Sequence, residues 1–306
     1  GFHAAREETR LLVDGVLAGE VELEAFGHWL TALADLGESA AEIAGVADAL
    51  RGRMLRVPAT RSIVADTCGT GGDGCGSFNI STAAALVAAA AGLPVAKHGN
   101  RAVTSRTGSA DVLEQLGVAV GVPPDTCSRQ LDELGICFCL APVHHPAMAR
   151  VGPLRRSLGR PTVFNLVGPL CNPAGESVQV IGVGRAAARE PMAEAARLLG
   201  ARRTLVVSGH VGDVASDNGQ ERVFDEISLF GPTDVIDVTA GATTRRRWTP
   251  EDFGIATQPA ASMESLAVAG PTESAAAIRG VLAGDRGPRR DVVTLNAAAV
   301  LWAAGT

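Results

Sequence analysis

The chain has 306 residues, 46% of them hydrophobic, with 27 basic against 33 acidic side chains and a net charge of -6. That content can bury a substantial core in one large domain or two unequal ones, and no basic block longer than Arg245-Arg-Arg247 occurs, which argues against a broad nucleic-acid surface. No apolar run approaches the roughly 20 residues of a membrane span, and six cysteines (68, 75, 127, 137, 139, 171) without Cys-x-x-Cys or zinc-type Cys/His spacing read as reduced thiols of a soluble, cytosolic enzyme or binding protein.

From residue 4 to about 55 the pattern is helical. Leu11, Leu12, Val16 and Leu17, then Leu23, Phe26, Leu30 and Leu33, then Ile43, Val46 and Leu50 recur at helical spacing. Gly19-Glu20 and Gly37-Glu38 mark two bends, and Ser39 with Glu42 makes a capping box for a third helix. His28 reads as an ordinary residue of this bundle, whose expected role is packing and subunit contact. Around Val57-Pro58 the period changes to short apolar runs broken by Gly and Pro. The domain boundary is placed there: a helical domain over 1–58, completed by helices within 144–175, and a second domain over 59–306.

In that second part, candidate strands at 62–65, 93–96, 136–140, 178–183, 203–208 and 234–239 alternate with helical segments at 80–91, 109–116, 124–134, 186–199 and 269–283. This alternation signals βαβ units. The expected fold class is α/β: a small N-terminal helical bundle plus a larger α/β domain with a mostly parallel central sheet and flanking helices. The run from His144 to Pro173 breaks the alternation and is expected to cross back onto the bundle, and a terminal helix runs through Asn296–Trp302.

Chemistry concentrates at Asp66-Thr-Cys-Gly-Thr-Gly-Gly-Asp-Gly74, continuing through Ser77-Phe-Asn-Ile-Ser-Thr82. Glycines 69, 71, 72 and 74 free the backbone for positive φ and remove every Cβ that would hold a ligand off. A strand, a glycine loop and a helix N-terminus in that order make an anion site from unpaired N–H groups and the helix dipole. The pattern Gly69-x-Gly71-x-x-Gly74 formally satisfies a dinucleotide fingerprint, yet no acidic residue follows near position 94, where Pro94-Val-Ala-Lys97 stands. Asp73 inside the loop would repel a pyrophosphate unless a cation or a substrate hydroxyl or amine stood between. A metal-assisted diphosphate sugar fits better.

Lys97-His-Gly-Asn-Arg101, with Thr104, Ser105, Gly108, Ser109 and Asp111, follows the next strand and is expected at the same carboxyl edge of the sheet. It supplies cations and hydroxyls suited to phosphate, while His98 fits ring packing and ligand contact equally. Asp225-Glu226 offers adjacent hard oxygen ligands of the kind Mg²⁺ shares with substrate phosphates.

Together with His145-Pro-Ala-Met148, Phe164-Asn-Leu-Val-Gly-Pro-Leu170, Asn172-Pro173 and Asp225-Glu-Ile-Ser228, these motifs resemble the anthranilate phosphoribosyltransferase family, in order and over nearly the whole chain. The resemblance implies a helical domain joined to a larger α/β domain, homodimers through the helical part, and transfer of 5-phosphoribosyl from phosphoribosyl diphosphate to the amino group of anthranilate in tryptophan biosynthesis. It also implies a donor site of Gly69, Gly72, Asp73, Ser77, Asn79, Ile80, Ser81, Thr82, Lys97, His98, Gly99, Asn100, Arg101, Ser105 and Ser109. Gly69, Asn100 and Arg155 would meet the acceptor, and Ser81, Asp225 and Glu226 would hold Mg²⁺. No dedicated general base is expected, because an arylamine is neutral and nucleophilic at pH 7.

Three departures from the family pattern stand out. Ser77 occupies a position where Thr is usual, Leu158-Gly-Arg-Pro-Thr162 shifts an arginine by one place and adds Pro161, and the run 209–223 before Asp225-Glu226 is longer than usual. Two other readings stay open. A pyrimidine nucleoside phosphorylase would need a different phosphate loop, and a non-catalytic nucleic-acid binder would need a basic face.

Overall fold

The computed structural model describes residues 2–102, 105–215 and 221–306, so Thr104 and the tip of the 209–223 run lie outside the described residues. Three helices open the chain: α1 (Arg6–Ala18), α2 (Leu23–Leu36) and α3 (Ala40–Arg53). The capping box forms as the sequence indicates, with Ser39 N–H donating to Glu42 Oε2 at 2.9 Å and Glu42 N–H donating to Ser39 Oγ at 3.3 Å. α1 crosses α3 at Gly45, where a Cβ would lie 2.4 Å from the Arg6 carbonyl oxygen. Only glycine permits that approach.

The α/β part then runs β1 (Ala65–Gly69), α4 (Ile80–Ala90), β2 (Val95–Gly99), α5 (Ser109–Gln115), α6 (Pro124–Leu134) and β3 (Ile136–Leu140). Three short helices follow, α7 (Ala141–His144), α8 (Gly152–Leu158) and α9 (Phe164–Val167), before β4 (Val178–Gly182) and α10 (Arg189–Leu198). The chain closes with β5 (Arg203–Ala215), β6 (Glu221–Phe224), β7 (Thr233–Thr239), β8 (Thr243–Trp248), α11 (Pro271–Ala283) and α12 (Pro288–Ala304). The eight strands form one sheet of order β3-β2-β1-β4-β5-β7-β8, with β6 paired to β5. Pairing is parallel from β3 through β5 and antiparallel among β5, β6, β7 and β8.

Several boundaries differ from the sequence reading. β1 begins at Ala65, where the expected strand 62–65 ends, and β2 spans Val95–Gly99 rather than 93–96. Both strands run on through polar residues, Asp66, Thr67, Lys97 and His98, which are buried and each hydrogen-bonded to an internal partner. Apolar runs alone could not show that. The expected strand 203–208 continues to Ala215 and pairs antiparallel with β6, so the described parts of the long 209–223 run extend the sheet. β8 was not foreseen, since its Thr243–Trp248 segment is an edge strand carrying exposed Arg245, Arg246 and Arg247.

Two apolar clusters cover the two faces of the sheet. One joins Phe78, Ala85 and Val95 to Ile278 of α11 and Val300 of α12. The other is continuous from Val13, Phe26 and Ile43 of the bundle, through Phe164, Leu166 and Leu170 of the crossing segment, to Met192 of α10 and Val206 and Ile236 of the sheet. The run from His144 onward thus does pack back on the bundle, pinned by Arg51 Nε donating to the Leu170 carbonyl at 2.6 Å. Among the described residues no helix is long and apolar enough to cross a membrane.

Candidate active site at the carboxyl edge of the sheet

Parallel pairing brings Gly69, Gly99, Leu140 and Gly182 to one edge of the sheet. Beyond β1 the chain enters the glycine loop, where Gly71, Gly72, Gly74 and Gly76 have φ of 69°, 84°, 70° and 64°. Those left-handed values exclude ordinary side chains. Gly69 is required for a different reason: a Cβ there would lie 2.6 Å from Asp225 Oδ2. The loop then delivers the chain to the N-terminus of α4.

The antiparallel pair β5 and β6 leads to Asp225 and Glu226, which lie against this loop. Gly71 N–H donates to Asp225 Oδ2 at 2.9 Å, and Ser81 N–H, in the first turn of α4, donates to Glu226 Oε1 at 3.0 Å. Glu226 thereby caps a helix start through its carboxyl oxygen. Asp73 completes the acidic group. Its Oδ1 accepts from Cys75 N–H at 3.0 Å, while Oδ2 is buried without a partner. Burial, and then the charges of Asp73 and Glu226, hold the Asp225 carboxyl well above the usual range. Burial likewise pushes Glu226 up to about 8, against the opposing pull of Lys97.

Lys97 is buried in the middle of β2, with Nζ donating to the Thr67 carbonyl and to Ser81 Oγ at 3.4 Å. Its ammonium therefore faces the acidic group from below. Asn79 does not cap α4 with its side chain. Instead Oδ1 accepts from Thr107 Oγ1 at 2.9 Å and from Ser274 Oγ at 2.7 Å, tying the loop to the 105–108 segment and to α11. Asn100 N–H donates to Ser109 Oγ at 3.2 Å, and Ser109 is packed so tightly on Gly99 that a Cβ there would lie 2.1 Å from its hydroxyl.

Other expected donor residues sit differently. Ile80 is in the core and its N–H is already given to the Phe78 carbonyl at 2.7 Å, and Thr82 is buried in α4 with Oγ1 unpartnered. Arg101 is exposed and clamped by Glu114 at 2.7 Å and Asp111 at 3.3 Å, so its charge is spent within its own segment. Ser105 donates to the Thr107 carbonyl at 3.3 Å, while Gly72 and Ser77 lie within the loop. His98 packs inward: its Nδ1–H donates to the Gly168 carbonyl at 3.1 Å and its ring lies 5.2 Å from that of His145. Burial pushes His98 down to about 3 and His145 down to about 4, which keeps both neutral.

Arg155, half-buried on α8, lies over the Phe164 ring at 5.3 Å, and among the described residues its guanidinium makes no hydrogen bond or ion pair. Arg156 is exposed, as its helical azimuth indicates. Arg160 reaches Asp35 of α2 at 2.7 Å, so the shifted arginine beside Pro161 joins the crossing segment to the bundle.

The sequence reading missed Gly182 and Gly184. A Cβ on Gly182 would lie 1.6 Å from the Asp225 carbonyl oxygen, and one on Gly184 would lie 2.7 Å from that of Gly71. A Gly-x-Gly directly after a strand was the available signal. Thr107 and Ser274, which hold Asn79, carried no signal in the linear sequence.

The chain matches the "Glycosyl transferase family, helical bundle domain" over residues 1–54 and the "Glycosyl transferase family, a/b domain" over residues 61–306. It is 44% identical over 305 residues to the anthranilate phosphoribosyltransferase of Rhodopirellula baltica, covering 100% of this chain and 85% of that protein. The chain belongs to the anthranilate phosphoribosyltransferase family. A family member from Methylorubrum extorquens is 45% identical, covering 100% of this chain and 86% of its own. Among solved structures of the family, the enzyme of Thermus thermophilus superposes with a TM-score of 0.88 at 43% identity, covering 99% of this chain and 87% of that one. The Saccharomyces cerevisiae enzyme in complex with PRPP and Mg gives 0.82 at 29% identity, covering 98% and 84%.

Proposed function

We propose that this chain transfers the 5-phosphoribosyl group of phosphoribosyl diphosphate to the amino group of anthranilate, giving N-(5-phosphoribosyl)anthranilate and diphosphate, a step of tryptophan biosynthesis. The observation that carries the reading is the gathering of Asp73, Asp225 and Glu226 around a loop of left-handed glycines. Three acids beside an anion cradle are at odds unless a cation lies between them and the diphosphate. The donor set is hard oxygen throughout, and the orphaned Asp73 Oδ2 supports it, so the residues fit Mg²⁺.

Asp225, Glu226 and Ser81 would hold the ion, which when bound neutralises charge on a departing diphosphate. Gly69, Gly72, Asp73, Ser77, Asn79, Ser81, Thr82, Lys97, Asn100 and Ser109 hold the donor, with loop N–H groups turned to its phosphates. Lys97 lies beneath the site, buried from solvent. Arg155 forks onto the acceptor carboxylate, a role for which its unpaired guanidinium is available. Gly69 and Asn100 border the acceptor. The arylamine needs no general base, so positioning and leaving-group neutralisation supply the rate.

We extend the proposal to a homodimer formed through the helical domain, where Leu11 and Leu36 stay exposed, and to a cytosolic setting for its six free thiols. Light scattering tests the first point. The reaction itself is tested by following anthranilate fluorescence: decay that needs protein, phosphoribosyl diphosphate and Mg²⁺ together supports it. No decay with all three present overturns it.

A further inference from the structure

The buried thiols outside the donor site are not scattered. Cys127 of α6, Cys139 of β3 and His144 of α7 bring one ligand atom each within 4.8 Å of one another, and all three side chains are closed to solvent. Cys127 Sγ is 3.8 Å from His144 Nε2, and Cys137 Sγ, on the same face of β3 two residues before Cys139, is 4.0 Å from Cys139 Sγ. In a tetrahedral zinc site, Zn–S near 2.3 Å and Zn–N near 2.0–2.1 Å place neighbouring ligand atoms roughly 3.6–3.8 Å apart. A contraction of up to roughly 1 Å would close Cys127, Cys139 and His144 on such an ion, and Cys137 would turn further to join them.

The surroundings match a metal-binding histidine. His144 Nδ1–H donates to the Leu55 carbonyl at 3.0 Å, which fixes the tautomer and leaves the Nε2 lone pair facing the thiols. Leu55 N–H in turn donates to the His144 main-chain carbonyl at 2.8 Å, so the two residues are tied by a reciprocal pair of hydrogen bonds. Around the sulfur atoms lie Val57, Val64, Ala96, Leu131 and Ala174, a dry apolar shell. The linear spacing 127, 137, 139, 144 matches no familiar zinc motif, and only the fold assembles it.

We propose that Cys127, Cys139 and His144, with Cys137 as fourth ligand, form a structural site for a d¹⁰ thiophilic cation, Zn²⁺ by preference. The closed position is that of a structural rather than a catalytic centre. The ion enters during folding, and each cysteine that ligates releases its thiol proton to solvent as the S–metal bond forms. β3 is one of the outer strands of the sheet, and the site ties it to α6, α7 and the Leu55 connection leaving the helical bundle.

The test uses the whole protein. Purified chain dialysed against a chelator and analysed by mass spectrometry for metals is expected to retain one zinc per chain. Refolding with Co²⁺ is expected to give a thiolate-to-cobalt charge-transfer band and the intense visible bands of a tetrahedral centre. Cys139→Ser and His144→Gln should weaken or abolish these bands. Cys75→Ser and the Asp225→Asn, Glu226→Gln pair should keep them, because those residues belong to the other site. Protein whose thiols are counted as fully reduced, yet which holds no zinc and shows no cobalt–thiolate band, overturns the proposal even if every variant fails to fold. So do bands that persist unchanged in a folded Cys139→Ser protein.

Discussion

Gly71 and Asp225 are 154 residues apart, yet the amide of the first donates to Oδ2 of the second at 2.9 Å, and that same oxygen occupies the space a side chain on Gly69 would need. The glycine loop and the acidic pair are therefore one object, and neither can shift alone. Gly69→Ala should push Asp225 off its position and lower kcat/KM for the donor by roughly 100-fold or more, since a misplacement of about 1 Å has that consequence. Steady-state kinetics with varied phosphoribosyl diphosphate read this directly. Wild-type values would show that the contact does not govern the site.

The acids should also leave a mark on stability. Burial places Glu226 at about 8 against an ordinary 4.5, and Asp225 is raised as well. Between those values the folded chain binds more protons than the unfolded chain, so stability of the metal-free protein should fall as pH rises through that window. Replacing the pair by Asn and Gln should flatten the slope, raise Tm near pH 8 and abolish Mg²⁺-dependent turnover. Thermal melts across pH without Mg²⁺ check the first part. A slope equal in wild type and double variant would remove these carboxyls as its source.

Arg155 offers a separation of the two substrates. Arg155→Ala should raise KM for anthranilate by roughly 10–100-fold, the loss of about 1.5–3 kcal/mol for a charged hydrogen-bonded group. Donor binding, measured by calorimetry with Mg²⁺ present, should stay near wild type. An equal collapse of both would place Arg155 outside a distinct acceptor site.

Two glycines on one helix should respond with opposite signs. Alanine at Gly45 would meet the Arg6 carbonyl at 2.4 Å and Thr9 Cβ at 2.8 Å, and overpacking of this kind costs about 1–3 kcal/mol. Alanine at Gly52, near the end of α3 with nothing within 4 Å, should gain up to about 1 kcal/mol from helix propensity. Chemical denaturation of the two variants makes the comparison, and stabilisation by Gly45→Ala would refute the tight crossing.

How much of this was readable in the chain depends on which interaction fixed each feature. Ser39 and Glu42 cap a helix through contacts three residues apart, so the sequence shows them, and the loop glycines declare themselves by needing positive φ. The strand limits at Gly69 and Gly99 were hidden, because Asp66, Thr67, Lys97 and His98 look like loop residues until their buried partners are known. Arg101 looked like a phosphate ligand by composition, but Glu114, 13 residues on, takes its guanidinium. β5 mixes polar and apolar residues without strict alternation, which is why its extension past residue 208 went unseen.

The apolar cluster that runs unbroken from Val13 to Ile236 makes the bundle and one face of the sheet a single unit of opening. Lifting α1–α3 away would bare Phe164, Leu166 and Met192 at once, so the cheapest route to exposing the amides of α3 is to expose those of β4 and β5 too. Hydrogen exchange should find these elements protected to a common level, and the chain's slowest amides should report on both sequence halves together.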